Sequence, residues 1–192
     1  MKKFFGILGS VILCMAVACC FVGCGGDDET TKMEVVTEWN MGVTEGFTLN
    51  GWQATNADKM EYVDNAEAKD GKALQVTVSV GGGVNFRPEE NHARHATKMT
   101  MRIYSETEAG ISIQAKELNG DWACLIGENP NPEVVDFDYD YDFDLKTGWN
   151  EYEFTFNKTL TNPFNLFVFK GKTSGATFLI DTITFMKPAE TK

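Results

Sequence analysis

From Met33 onward, apolar and polar residues alternate in short runs, and no segment keeps a helical period. Ala73-Leu74-Gln75-Val76-Thr77-Val78-Ser79-Val80 alternates cleanly and is closed by Gly81-Gly82-Gly83. Met99, Met101 and Ile103 form one side of the next run, with Thr100, Arg102 and Tyr104 on the other. Ile111, Ile113 and Ala115 then alternate with Ser112, Gln114 and Lys116. An Asn119-Gly120 turn leads into an expected strand through Trp122, Cys124 and Ile126. Glu151–Phe156, Asn165–Phe169 and Ala176–Phe185 supply three more. Turn residues recur about every 10 positions, the spacing of a β-sandwich or barrel. The pattern predicts an all-β fold of about ten antiparallel strands, joined by turns and not by crossover helices.

Residues 1–23 break that pattern. Lys2 and Lys3 precede an uninterrupted apolar and small run from Phe4 to Gly23, and no acid occurs before Asp27. This is the layout of a secretory signal peptide. A run of that length is also long enough for an uncleaved membrane anchor. Phe21-Val22-Gly23-Cys24 resembles a bacterial lipobox, which implies cleavage before Cys24 and acylation of its thiol; Ala16-Val17-Ala18-Cys19 is a second, weaker match. Gly25-Gly26-Asp27-Asp28-Glu29-Thr30-Thr31 has the composition of a flexible acidic tether. The expected organisation is a signal peptide over 1–23, the lipidated Cys24 and tether over 24–33, and a β-sandwich domain over 34–187. The lipobox implies an extracytoplasmic protein, lipid-anchored to a bacterial membrane at the cell surface, and the expected state is a monomer.

Charge and cysteine usage narrow the partners. The 192-residue chain carries 17 basic and 28 acidic residues, a net charge of −11. Without Lys2 and Lys3 the balance is 15 basic against 28 acidic residues, or −13. Such a domain repels anionic lipid and lacks the clustered cations that nucleic acid requires. Four of the five cysteines precede residue 25, so Cys124 is the only thiol of the folded part and is expected to be buried and inert.

Four motifs occur in order: Gly51-Trp52, Gly71-Lys72-Ala73-Leu74-Gln75-Val76, Thr147-Gly148-Trp149-Asn150-Glu151-Tyr152 and Phe178-Leu179-Ile180-Asp181-Thr182-Ile183. Together, over about residues 35–186, they resemble the carbohydrate-binding modules of galactose-binding-like, jelly-roll architecture. The resemblance implies a non-catalytic domain that binds polysaccharide or glycoconjugate. It also implies a structural calcium joining the first and last strands. Asp181 matches the terminal-strand carboxylate, Glu38 is its partner, and a backbone carbonyl near Lys72 completes the set. The alternative is a structural or protein-binding surface lipoprotein of the same fold with no sugar site.

Sugar recognition needs flat aromatic faces and planar polar groups on an outward sheet surface. If Val84 and Phe86 point inward, Asn85 and Arg87 point outward. Arg102, Tyr104 and Gln114 lie opposite their own apolar neighbours in the same way, and Trp122 is the expected aromatic platform. Trp52 and Trp149 fall inside the scaffold motifs and are expected to pack.

Asp136-Phe137-Asp138-Tyr139-Asp140-Tyr141-Asp142-Phe143-Asp144 places five carboxylates on one side of a strand and four aromatics on the other. Same-side carboxylates about 6.6 Å apart are expected to raise one another's pKa. The stretch suits either a cation-binding face or, preferably, a half-buried strand whose charge blocks edge pairing. His92 and His95 fall in an expected loop without a third metal ligand. No nucleophile elbow, phosphate loop or paired-cysteine motif occurs. No pair of acids is singled out for the spacing of about 5–10 Å that a glycosidase needs.

Overall fold

The structure, a computed structural model, describes residues 32–41, 47–52, 58–88, 93–117, 124–127, 140–161, 164–172 and 174–190, with backbone alone at 47–52, 86–88 and 164–166. Among them lie eleven strands and no helix. These are β1 (Met33–Asn40), β2 (Phe47–Trp52), β3 (Lys59–Asp64), β4 (Lys72–Val78), β5 (Gly83–Pro88) and β6 (Lys98–Ser105). They continue with β7 (Ala109–Glu117), β8 (Tyr141–Leu145), β9 (Gly148–Thr155), β10 (Phe164–Gly171) and β11 (Ala176–Pro188). One sheet has the order β3-β4-β11-β6-β9, with β1 also paired to β11; the other has the order β2-β5-β10-β7-β8. Every pairing between these strands is antiparallel.

The alternation explains the layers. Leu74, Val76 and Val78 of β4 and Met99, Met101 and Ile103 of β6 turn into the sandwich, as do Ile111, Ile113 and Ala115 of β7. They meet Phe167 and Phe169 of β10 and Phe178 and Phe185 of β11. Trp39 of β1 packs edge-on against Phe185, with ring centroids 4.6 Å apart. Cys124 is buried in the same core, as expected.

Two local expectations are corrected. Cys124–Gly127 is not a strand: Ile126 forms a single bridge to Phe156, because Leu125 instead donates its N–H to Ala115 and Asn157 folds onto Leu125. Residues 118–123, including Trp122, lie outside the described residues. Gln114, expected to point outward, does lie with Ser112 and Lys116 on the side away from Ile111, Ile113 and Ala115, but all three are buried, Gln114 to 4% exposure.

β11 carries the most consequential irregularity. Its Ala176–Ile180 half pairs with β4, and its Thr182–Pro188 half pairs with β1 along the same edge. On the other edge, Ile180 faces Ile103 while Thr182 faces Arg102, so Asp181 is an extra residue in a bulge. A one-residue insertion reverses which side chains face inward. Ile180 and Ile183 therefore both point into the core, and Asp181 sits at the junction of β4, β1 and β6, fully buried.

Candidate carbohydrate-binding face and a charged latch

The outer side of the five-stranded sheet brings two expected residues into one row. Asn85 stands opposite Val168, and Val168 stands opposite Gln114. Two strand spacings separate Asn85 from Gln114, roughly 10 Å. The Asn85 Oδ1 is buried and has no hydrogen-bond partner among the described residues. An unsatisfied buried carbonyl of this kind costs about 1–3 kcal/mol. Gln114 donates to Asp140 Oδ1 at 2.6 Å, and Lys170 Nζ reaches the same oxygen at 2.7 Å. Ser112 Oγ donates to Asp142 Oδ1 at 2.7 Å, and Lys172 pairs with the other Asp142 oxygen. Planar amides and oriented carboxylates held in this way suit paired hydroxyl groups. Arg87 lies two positions from Asn85 on β5, where only its backbone is described.

β8 forms the edge of this sheet, and its two sides differ as the sequence suggests. Phe143 packs edge-on against Tyr152 and Phe154 of β9, at 5.3 Å in each case, while Asp142 and Asp144 remain exposed. The expected rise in carboxylate pKa is reversed at Asp142. Burial raises it, but hydrogen bonds from Lys172 and Ser112, together with the Lys172 charge, outweigh burial and hold it below 3.8. Asp136–Tyr139 and His92 lie outside the described residues. His95 sits in an exposed turn at φ 71°, not on a helix.

Arg102 and Tyr104 belong to the opposite face, because β6 runs in the six-stranded sheet. Arg102 and Tyr104 thus do not share a face with Asn85 and Gln114, and Trp122 and the Arg87 side chain lie outside what is described. Alternation reveals which side chains turn outward, but not which of two sheets they turn outward from.

Arg102 is committed to a latch built around Asp181. The 65–71 loop between β3 and β4 closes through Asn65 N–H on Gly71 O at 2.8 Å and an Asx turn from Glu67 N–H to Asn65 Oδ1 at 2.9 Å. Gly71, at φ 76°, permits the left-handed turn that returns the chain to β4. The loop folds onto the outer face, where Lys69 N–H donates to Asp181 Oδ1 at 3.0 Å. The Arg102 guanidinium bonds Asp181 Oδ2 and also the Glu67 carbonyl, at 3.2 Å from both Nη1 and Nη2. Its Cζ lies 4.1 Å above the Trp149 ring, and Trp149 Nε1 donates to Glu67 Oε2 at 2.8 Å. Lys69 pairs with Glu38 of β1, and Asn40 bonds Asp70. The hydrogen bond to Glu38, reinforced by its charge, raises the Lys69 pKa.

This arrangement does not fit the expected calcium. Both Asp181 oxygens are engaged, one by a guanidinium, and Glu38 is neutralised by Lys69. A dication would have to displace these groups before it could gather oxygen ligands. No group of three or more potential metal ligands occurs among the described residues. Glu67, Lys69 and Trp149 were not singled out by sequence as parts of a site. For Trp149 a signal existed: it shares its phase with exposed Glu151 and Glu153, opposite Tyr152 and Phe154.

An antiparallel two-sheet sandwich of this kind has the jelly-roll architecture. The chain is similar to TmCBM27, a carbohydrate-binding module with specific mannan recognition, with a TM-score of 0.54 and 12% identity over 82% of this chain and 99% of that one. It is also similar to the family 11 carbohydrate-binding module of the cellulosomal cellulase Lic26A-Cel5E of Clostridium thermocellum, with a TM-score of 0.50 and 14% identity over 83% of this chain and 99% of that one. No family model and no curated protein matches the sequence.

Proposed function

We propose that the protein is a non-catalytic carbohydrate-binding lipoprotein, anchored through Cys24 to the outer face of a bacterial membrane. It captures polysaccharide or glycoconjugate on the outer side of its five-stranded sheet. The observation that carries this reading is the Asn85 Oδ1, which has no hydrogen-bond partner among the described residues, set in one row with Gln114. Such an acceptor suits a ligand hydroxyl, and Asp140 and Asp142 offer further acceptors beside it. The fold shared with carbohydrate-binding modules supports the same reading.

A glycan array probed with the full chain in detergent tests it. Because TmCBM27 recognises mannan, mannan belongs on the array with other neutral polysaccharides. Binding to at least one of them is expected. Binding to none would favour a structural or protein-binding lipoprotein, and turnover of a chromogenic glycoside would overturn the non-catalytic reading.

A further inference from the structure

The outer face of the six-stranded sheet, on the other side of the sandwich from Asn85, contains a cleft of about 580 Å³. Volumes of about 300–1,000 Å³ accommodate small ligands. The 65–71 loop forms one wall, and β4, β6 and β11 form the floor. Asp64, Glu67 and Glu106 line it together with Asn65, Gln75 and Tyr104, and no Lys, Arg or His is among its described lining residues.

The lining is held in place by contacts outside the cleft. Tyr104 packs at 50° against Trp149, with ring centroids 5.4 Å apart. Trp149 in turn fixes Glu67 through its indole N–H and is fixed by Arg102 on its face. Gln75 donates its amide N–H to Glu61 at 3.2 Å, so its carbonyl oxygen is the group it offers the cleft. An aromatic wall, amide groups and three carboxylates meet there, with no cation among the described lining residues. A sugar ring can pack its C–H face on Tyr104 while hydroxyls bond the amides. Carboxylates of one sign in a concavity concentrate positive charge and repel anions. Uronates, sialates and phosphorylated sugars are excluded on that ground.

We propose that this cleft is a second ligand site, specific for glycans that carry protonated amino sugars. Glu67 and Glu106 receive the ammonium, Tyr104 stacks on the ring, and Gln75 accepts from a neighbouring hydroxyl. The site is separate from the row through Asn85, so either can fail without the other.

Titration calorimetry on the full chain in detergent tests the proposal, using a glucosamine tetramer at a pH that keeps its amines charged. The N-acetylglucosamine tetramer and tetralysine serve as comparisons. The glucosamine tetramer is expected to bind at least about tenfold more tightly than either. Glu106→Gln, an exposed site beyond the end of β6, and Glu67→Gln, which keeps an acceptor for Trp149, should each weaken binding about tenfold without moving the thermal midpoint. Asn85→Ala should leave it unchanged. No binding, equal binding of the acetylated tetramer, or equal binding of tetralysine would overturn the proposal. So would binding that survives the Glu67→Gln/Glu106→Gln pair. Loss of neutral-glycan capture in Asn85→Ala, with glucosamine binding intact, would support two separate sites.

Discussion

Arg102 on β6 and Asp181 in the β11 bulge form an ion pair in which the carboxylate is fully buried and the guanidinium only partly so. The pair joins the bulge to the 65–71 loop, because the same guanidinium bonds the Glu67 carbonyl. Removing one partner of such a pair strands a buried charge and costs about 3–5 kcal/mol, whereas replacing both with apolar groups is close to neutral. Arg102→Met should therefore lower unfolding free energy by about 3–5 kcal/mol in urea titrations, and Arg102→Met with Asp181→Leu should recover most of it. Equal losses in the single and double variants would show that the pair is not the source.

The same geometry predicts the response to metal. A resident ion that binds only the folded state raises the thermal midpoint, and a chelator reverses the effect. With Arg102 and Lys69 on the carboxylates, chelator should leave the midpoint unchanged. A fall on adding chelator would mean that calcium displaces these side chains.

How far the sequence revealed this molecule depends on which physical signal each feature leaves. Alternation at Leu74, Val76 and Val78, or at Met99, Met101 and Ile103, is a local signal, and it located strands and core correctly. Sheet membership is not local. Arg102, Tyr104 and Gln114 all look outward in sequence, yet β6 and β7 belong to different sheets. The bulge at Asp181 leaves only a slip of apolar phase, from Phe178 and Ile180 to Ile183 and Phe185, and which residue is extra shows only against the partners on β4, β1 and β6. The role of the 65–71 loop depends on contacts with residues more than a hundred positions away, such as Lys69 with Asp181. Local composition carries no trace of these.

Asp142 gives a pH signature. Its pKa is lowered in the folded state, so it stabilises the fold above its unfolded value near 3.8 and loses that contribution as pH falls through the folded value. Its side chain is half exposed, so the effect is small. Asp142→Asn should cost no more than about 1 kcal/mol at pH 7. The difference from the native chain should close in unfolding titrations as pH falls through the folded value, which lies below 3.8. A difference that grows toward acid would contradict the Lys172 and Ser112 contacts.

The proposed anchor makes a separate prediction. Metabolic labelling with a fatty-acid analogue should tag the native chain and leave Cys24→Ser untagged. Label retained in Cys24→Ser but lost in Cys19→Ser would move the lipid to the earlier cysteine. Label absent from the native chain would remove the lipoprotein reading.

The central claim is that the row through Asn85 and Gln114 holds neutral glycan. Its most direct test is calorimetric titration of the best neutral polysaccharide from the array into the native chain, Asn85→Ala and Tyr104→Ala, with thermal midpoints measured in parallel. Asn85→Ala should weaken binding about tenfold or more while remaining folded, and Tyr104→Ala, on the opposite sheet, should bind as the native chain does. Undiminished binding in Asn85→Ala, or loss confined to Tyr104→Ala, would contradict it.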